Sequence, residues 1–171
     1  MEMESSELSS VSRDPLVVQA MANVIRFKEI RPNWRVAADG NPAWVIPAYK
    51  YTDGAQPYLG TAIPPVVVSE EFRLTAGVVQ PGQGAPLHNH THEELMYAAS
   101  GSFVIFFDKE EQNKVYLEPW DAILVPANVE RGWRNVGRDL GCLLNFSGVQ
   151  DKMTTVTAAG NEAAILPDAI G

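Results

Sequence analysis

From residue 66 to residue 146 the chain is cut into short β-branched and aromatic runs by glycine, proline and asparagine. Residues 66–68, 72–79, 94–97, 103–107, 115–117, 122–125, 133–136 and 142–146 each read as a strand. Turn residues separate them, Pro81-Gly82-Gln83-Gly84 and Gly101 among them. The charged run 108–114 reads as a solvated hairpin loop. Short strands at these intervals predict an all-β sandwich or barrel. The 13 glycines and 12 prolines in 171 residues suit such a turn-rich chain better than a helical bundle.

The flanks read differently. Residues 1–12 are polar and charged, with nothing to bury, and are expected to form a mobile tail. Residues 13–65 are expected to hold a helix and an aromatic-rich arm. Asp14-Pro15 is a helix start, with Asp as N-cap and Pro at the first helical position, and Leu16, Val17, Met21 and Val24 follow. The arm is rich in proline and carries Trp34, Trp44, Tyr49, Tyr51 and Tyr58, whose rings are expected to pack on the main body or on a second subunit. Residues 66–150 form the barrel in this reading. Residues 151–171 are a C-terminal extension, helical or extended from Met153 onward.

Charge and cysteine content remove several classes of function. Lys and Arg total 13 against 21 Asp and Glu, a net charge of −8. Nucleic acid and anionic membranes are bound through clustered Lys and Arg, so neither is an expected partner. Cys142 is the single cysteine. No intrachain disulfide or CxxC site can form, which suits a reducing compartment, and Cys142 reads as a small buried hydrophobe. The N-terminal residues lack the basic and apolar regions of a signal peptide, and no apolar run approaches the roughly 18 residues of a membrane span. A cytoplasmic protein is the expectation. Nucleophile-elbow, P-loop and dinucleotide-binding motifs are missing from the sequence.

The chemistry gathers in one segment. All three histidines, His88, His90 and His92, lie within five residues, and Glu93 and Glu94 follow at once. Alternate side chains of a strand share a face, so His88 and His90 point the same way. Glu94 has the same parity and can add a carboxylate once the chain bends near Thr91. Two imidazoles and one carboxylate suit Fe(II), Mn, Ni or Zn, and three protein ligands leave positions open for water or substrate. His92 shares the parity and is a candidate extra ligand. The bland alternative is a polar exposed loop.

The spacing Gly82, His88, His90, Glu94, Gly101 resembles the first signature motif of the cupin family. The resemblance covers roughly residues 72–148. It implies a double-stranded β-helix, or jelly-roll, barrel, here with an N-terminal helix and an irregular arm. The second motif is looser. Trp120 stands where the family has a Gly, Pro126 and Asn135 match, and Asn128 replaces a second Gly. Asn tolerates the positive φ that such a Gly supplies. Arg131 occupies the position of the family's fourth ligand, usually His. Arginine stays protonated and does not ligate metals. Three arrangements follow: Arg131 binds an anionic substrate group beside the metal; Arg131 pairs with Glu94 and displaces the metal; or Arg131 points away. Trp133 alternates with Arg131 and is expected to face the same interior. Met96 shares the parity of Glu94 and is a candidate for the cavity wall.

The family resemblance implies a metalloenzyme acting on a small organic molecule, and Arg131 in the first arrangement suits one that carries a carboxylate. The first choice is an Fe(II)-type dioxygenase, with substrate contacts from Arg131, Trp133 and Met96. The alternative is a non-catalytic, metal-free cupin that binds or senses a small ligand. A homodimer is expected in either case.

Overall fold

Strand-by-strand alternation builds two facing sheets. The structure is a computed structural model, and it describes residues 14–37, 41–54, 66–149, 155–157 and 163–165. In chain order the elements are α1 (Pro15–Ala22), β1 (Asn33–Ala37), β2 (Ile46–Asp53), β3 (Val67–Val68), β4 (Phe72–Val79), β5 (Gly84–His90), β6 (Glu94–Ser100) and β7 (Phe103–Phe106). They continue with β8 (Lys114–Leu117), β9 (Ala122–Val125), β10 (Arg131–Asn135), β11 (Gly141–Gly148), β12 (Thr155–Thr157) and β13 (Ala163–Ile165). The larger sheet has the order β13-β1-β2-β4-β11-β6-β9, with β3 beside β2, and the smaller has β12-β5-β10-β7-β8. Every pairing is antiparallel except that of β2 with β3. The all-β expectation holds.

The core lies between the sheets. Val79 and Leu143 from the larger sheet meet Phe103, Ile105 and Trp133 from the smaller one, all nearly or fully buried. Phe103 meets Trp133 edge to face, with ring centroids 5.9 Å apart.

The arm contributes more than its sequence suggests. β2 pairs with β4 from Ala48↔Gly77 to Thr52↔Leu74, and β1 pairs with β2. The boundary expected at residues 65–66 therefore falls inside one hydrogen-bonded sheet. Prolines around β2 hide an alternation in which Ile46, Ala48 and Lys50 are all buried. Of the arm's aromatics, Trp44 lies 6.5 Å from Phe106 on the body, Phe27 and Tyr49 meet each other at 4.6 Å, and Trp34 is exposed. Tyr58, residues 1–13 and Met153 lie outside the described residues. Further on, β12 and β13 are strands, paired with β5 and β1.

α1 starts where the sequence places it. The Asp14 carboxylate accepts from Leu16 N at 2.8 Å, and Pro15 opens the helix. None of its residues is buried.

Corner geometry explains the motif positions outside the site. Gly82 and Gly101 have φ of 83° and 79°, in the left-handed region that glycine enters without cost. Asn128 reaches the same region at φ 63°, as its sequence position foretells. Trp120 also reaches it, at φ 82°, although a bulky residue is strained there. Its N–H donates to the Ala98 carbonyl at 2.7 Å, which pins the turn, while its side chain is 78% exposed. Little packing is lost if the ring is removed. Trp120→Gly should therefore raise stability by about 1 kcal/mol, read as a higher urea midpoint with an unchanged slope. A lower midpoint would show that the exposed ring stabilises more than its backbone costs.

The loop before β8 is held to β10 by a two-pronged ion pair. Both guanidinium nitrogens of Arg134 donate to the two oxygens of Glu111 at 2.8 Å. That contact holds the Glu111 carboxyl below its usual range and raises Arg134. A depressed carboxyl contributes stability above its unfolded pKa and loses it as pH falls through the folded one. Glu111→Gln should cost about 0.5 kcal/mol at pH 7 for so exposed a pair, and less near pH 3. Urea unfolding at the two pH values checks this, and an equal cost at both contradicts it.

Candidate metal centre

β5 ends and β6 begins at the residues that carry the chemistry. His88 and His90 share a face of β5, and Glu94 opens β6 after the bend at residues 91–93. One ligand atom from each of His88, His90 and Glu94 lies within 4.8 Å of the other two. His90 is 3% exposed and Glu94 6%. His88 Nδ1 lies 2.7 Å from the Pro86 carbonyl oxygen. A carbonyl only accepts, so Nδ1 carries the proton and Nε2 is left as the ring's ligating atom. Histidines that bind metals are commonly oriented by such a bond. The donor set therefore fits a divalent ion.

His92 takes a different position. Its ring stacks on His90 at 5.0 Å with 18° between planes, and it is not part of the three-residue cluster. The His88 and His90 rings meet edge to face at 4.9 Å.

Arg131 makes the contact with Glu94 that the second of the three expected arrangements calls for. Its Nη2 and Nε donate to Glu94 Oε2 at 3.0 and 3.3 Å, and its Nη1 donates to the Val129 carbonyl at 3.1 Å. It is completely buried and is not among the residues that line the cavity. The register explains the position, since Arg131 pairs directly with His88 across β10 and β5. The pair does not by itself exclude a metal, because a carboxylate can accept from arginine through one oxygen and ligate through the other.

The cavity opens beside this cluster, with about 650 Å³ of space including its mouth. Trp133 lines it as expected, and Gly77 makes room for the ring: a Cβ there would lie 2.8 Å from Trp133 Cη2. Met96 does not line it. It is fully buried in the hydrophobic core, where its neighbours across the sheet place it. Asn135 has a structural task, donating to the Val79 and Asp139 carbonyls and accepting from Gly137 N. Burial pushes the Cys142 thiol up, which agrees with an unreactive half-buried side chain.

Sequence reasoning missed a second charged group on the cavity wall. Asp53 accepts from Arg73 Nε at 2.6 Å and lies 3.4 Å from Lys50 Nζ. All three residues are buried. The available signal was a lysine at the third inward position of the Ile46, Ala48, Lys50 alternation, where an apolar residue is the rule.

Comparison with known proteins follows this geometry. A family model described as the cupin domain matches residues 76–146, which run from β4 to β11. Residues 76–146 are a cupin domain. No curated protein sequence matches the chain significantly. Solved cupin-fold structures do resemble it. The polyketide cyclase RemF from Streptomyces resistomycificus aligns at 16% identity over 80% of this chain and 86% of its own, with a TM-score of 0.56. The DMSP lyase DddQ from Ruegeria pomeroyi DSS-3 aligns at 16% identity over 85% of this chain and 65% of its own, with a TM-score of 0.54. A cupin superfamily protein from Desulfitobacterium hafniense DCB-2 aligns at 21% identity over 48% of this chain and 71% of its own, with a TM-score of 0.42. At these identities the likeness shows the fold, a double-stranded β-helix. Among the described residues no helix is long and apolar enough to cross a membrane.

The cupin's buried ion pair makes a sharp energetic statement. Arg131→Met leaves the Glu94 carboxylate in the interior without its guanidinium, which typically costs 3–5 kcal/mol. Adding Glu94→Met removes the stranded charge and should recover most of that loss. Urea unfolding of the single and double variants, in the presence of a chelator, measures the coupling. Additive losses would show that the two residues do not act as a pair.

Proposed function

We propose that this cupin is a metal-dependent enzyme that acts on a small organic molecule in the barrel cavity. The supporting observation is the convergence of His88, His90 and Glu94 on one point, within 4.8 Å of one another and on the cavity wall. Two imidazoles and one carboxylate with open positions suit Fe(II), and the reaction class this favours is a dioxygenase-type oxidation. Bound there, a divalent ion would act as a Lewis acid and hold substrate beside a second small ligand. The chain supplies the rest. Pro86 fixes the His88 tautomer, Arg131 holds the Glu94 carboxylate in place, and Trp133 with the core beneath it keeps bulk water from the reacting groups. RemF and DddQ, a cyclase and a lyase by name, agree with a small-molecule substrate for this fold.

The Glu94–Arg131 pair favours a second reading, a metal-free cupin that binds a small ligand. Metal content separates the two. Purified without a His tag or chelator, wild type should carry close to one equivalent of a divalent metal, or take up one from Fe(II), Mn(II), Ni(II) or Zn(II). His88→Ala/His90→Ala should lose it at unchanged secondary structure. A wild type that holds none and refuses all four ions leaves the binder reading.

A further inference from the structure

We propose that the outer face of the larger sheet is an interaction surface whose partner is a second copy of this chain, two barrels packing back to back about a two-fold axis. The inference depends on neither the metal nor the substrate.

The register builds this surface. Leu124 stands opposite Leu95, Leu95 opposite Phe146, and Phe146 opposite Leu74, so one apolar row crosses β9, β6, β11 and β4. Side chains at paired positions stand on the same face. The chain neighbours Glu94, Asn145 and Arg73 line the cavity, so the row itself points outward. Tyr97 and Leu144 pair in the next row. Arg73 and Glu94 are the only charged residues in these four strands, and both face inward.

An antiparallel sheet with one wet face ordinarily alternates apolar with polar residues. Here that alternation is lost, because the outward positions are apolar too. The smaller sheet differs: Lys114 and Arg134 stand on its outer face, opposite Phe106 and Val104. The outward side chains of the larger sheet are open to solvent in the single chain. Leu95 is 37% exposed and Leu124 54%.

The face is large enough for a stable contact. β2 adds a fifth strand through Tyr49, which pairs with Ala76, and Phe27 lies 4.6 Å from Tyr49 and 6.5 Å from Tyr51. Five strands about 4.8 Å apart, with lengths of up to about 27 Å, span roughly 600 Å² in projection. That is the upper end of what single proteins expose as one apolar patch, and it approaches the ~800 Å² per partner of a standard interface.

α1 gives an independent indication. It has eight residues, none charged and none buried. Isolated helices of this length are marginal in water and are held chiefly by packing of an apolar face. Phe27, a few residues beyond its end, sits on Tyr49, so α1 is tethered at the margin of the sheet face. A partner on that face can supply the packing that α1 lacks in one copy.

A second copy suits the face for two reasons. Unlike partners are selected and oriented largely by complementary charge, and this face presents none. A chain with a net charge of −8 repels its own copies, and meets one at least cost where neither carries charge. Sheets of equal twist also pack face to face with their strands about 30° apart, so a two-fold axis through the face matches each sheet to its own shape.

Sedimentation of the full chain tests this. Wild type at micromolar concentration should show twice the mass of one chain. Leu95→Glu and Leu124→Glu each set a carboxylate within the apolar contact and should weaken association about a hundredfold or more. Both side chains are already partly exposed in the single chain, so the circular dichroism spectrum should not change. Leu124→Gln should weaken association about tenfold, and it carries the test if the glutamate variants fail to fold. Tyr116→Glu, on the outer face of the smaller sheet, should leave the mass unchanged. A monomeric wild type overturns the proposal; the face then belongs to an unlike partner or to another segment of the chain. A dimer that survives in folded Leu95→Glu and Leu124→Glu, or that Tyr116→Glu dissociates as readily, overturns it too.

Discussion

A carboxylate buried between two sheets must be answered by a positive charge, and here Arg131 answers Glu94. The two residues come from different sheets, β6 in the larger and β10 in the smaller. Their contact closes the sandwich at the point where the histidines enter it. Because β10 runs in register with β5, the guanidinium that holds Glu94 also stands beside His88. The orientation of the acid follows from this one pair. An ordinary cupin sequence puts a fourth imidazole at the Arg131 position. This chain uses the position to hold the Glu94 carboxylate.

Local features were legible in the sequence. His88, His90 and Glu94 lie so close along the chain that strand parity alone brings them together. The strands from β4 to β11, the Asp14 cap and the left-handed backbone at Asn128 could each be read from a few neighbouring residues. The partner of Arg131 could not. Glu94 lies on another sheet, and parity says only that the guanidinium faces inward, with three targets left open. Met96 shows the same limit: it faces inward as expected, but the interior at its level is packed core. β2 was hidden because Pro47 and the prolines around it read as an irregular arm, although a strand tolerates proline close to its start. With β2 went Lys50, Asp53 and the charged wall they build.

The distribution of charge gives the net value of −8 a different meaning. Acidic residues dominate the sequence, while on the described cavity wall Lys50 and Arg73 stand with Asp53 and Glu94, two charges of each sign. Surface charge is screened over about 10 Å at ordinary ionic strength, and a buried cation is screened far less.

The strand that carries the histidines has β10 on one side and β12 on the other, with Thr155 opposite His90 and Thr157 opposite His88. β12 comes from the far end of the sequence. During synthesis the chain emerges in order, so His88 and His90 are made long before the segment that flanks their strand. Until then β5 is a sheet edge, its outer hydrogen-bonding groups turned to solvent. The candidate centre is therefore among the last parts of the barrel to be completed, and its final enclosure waits on a segment far from it along the chain.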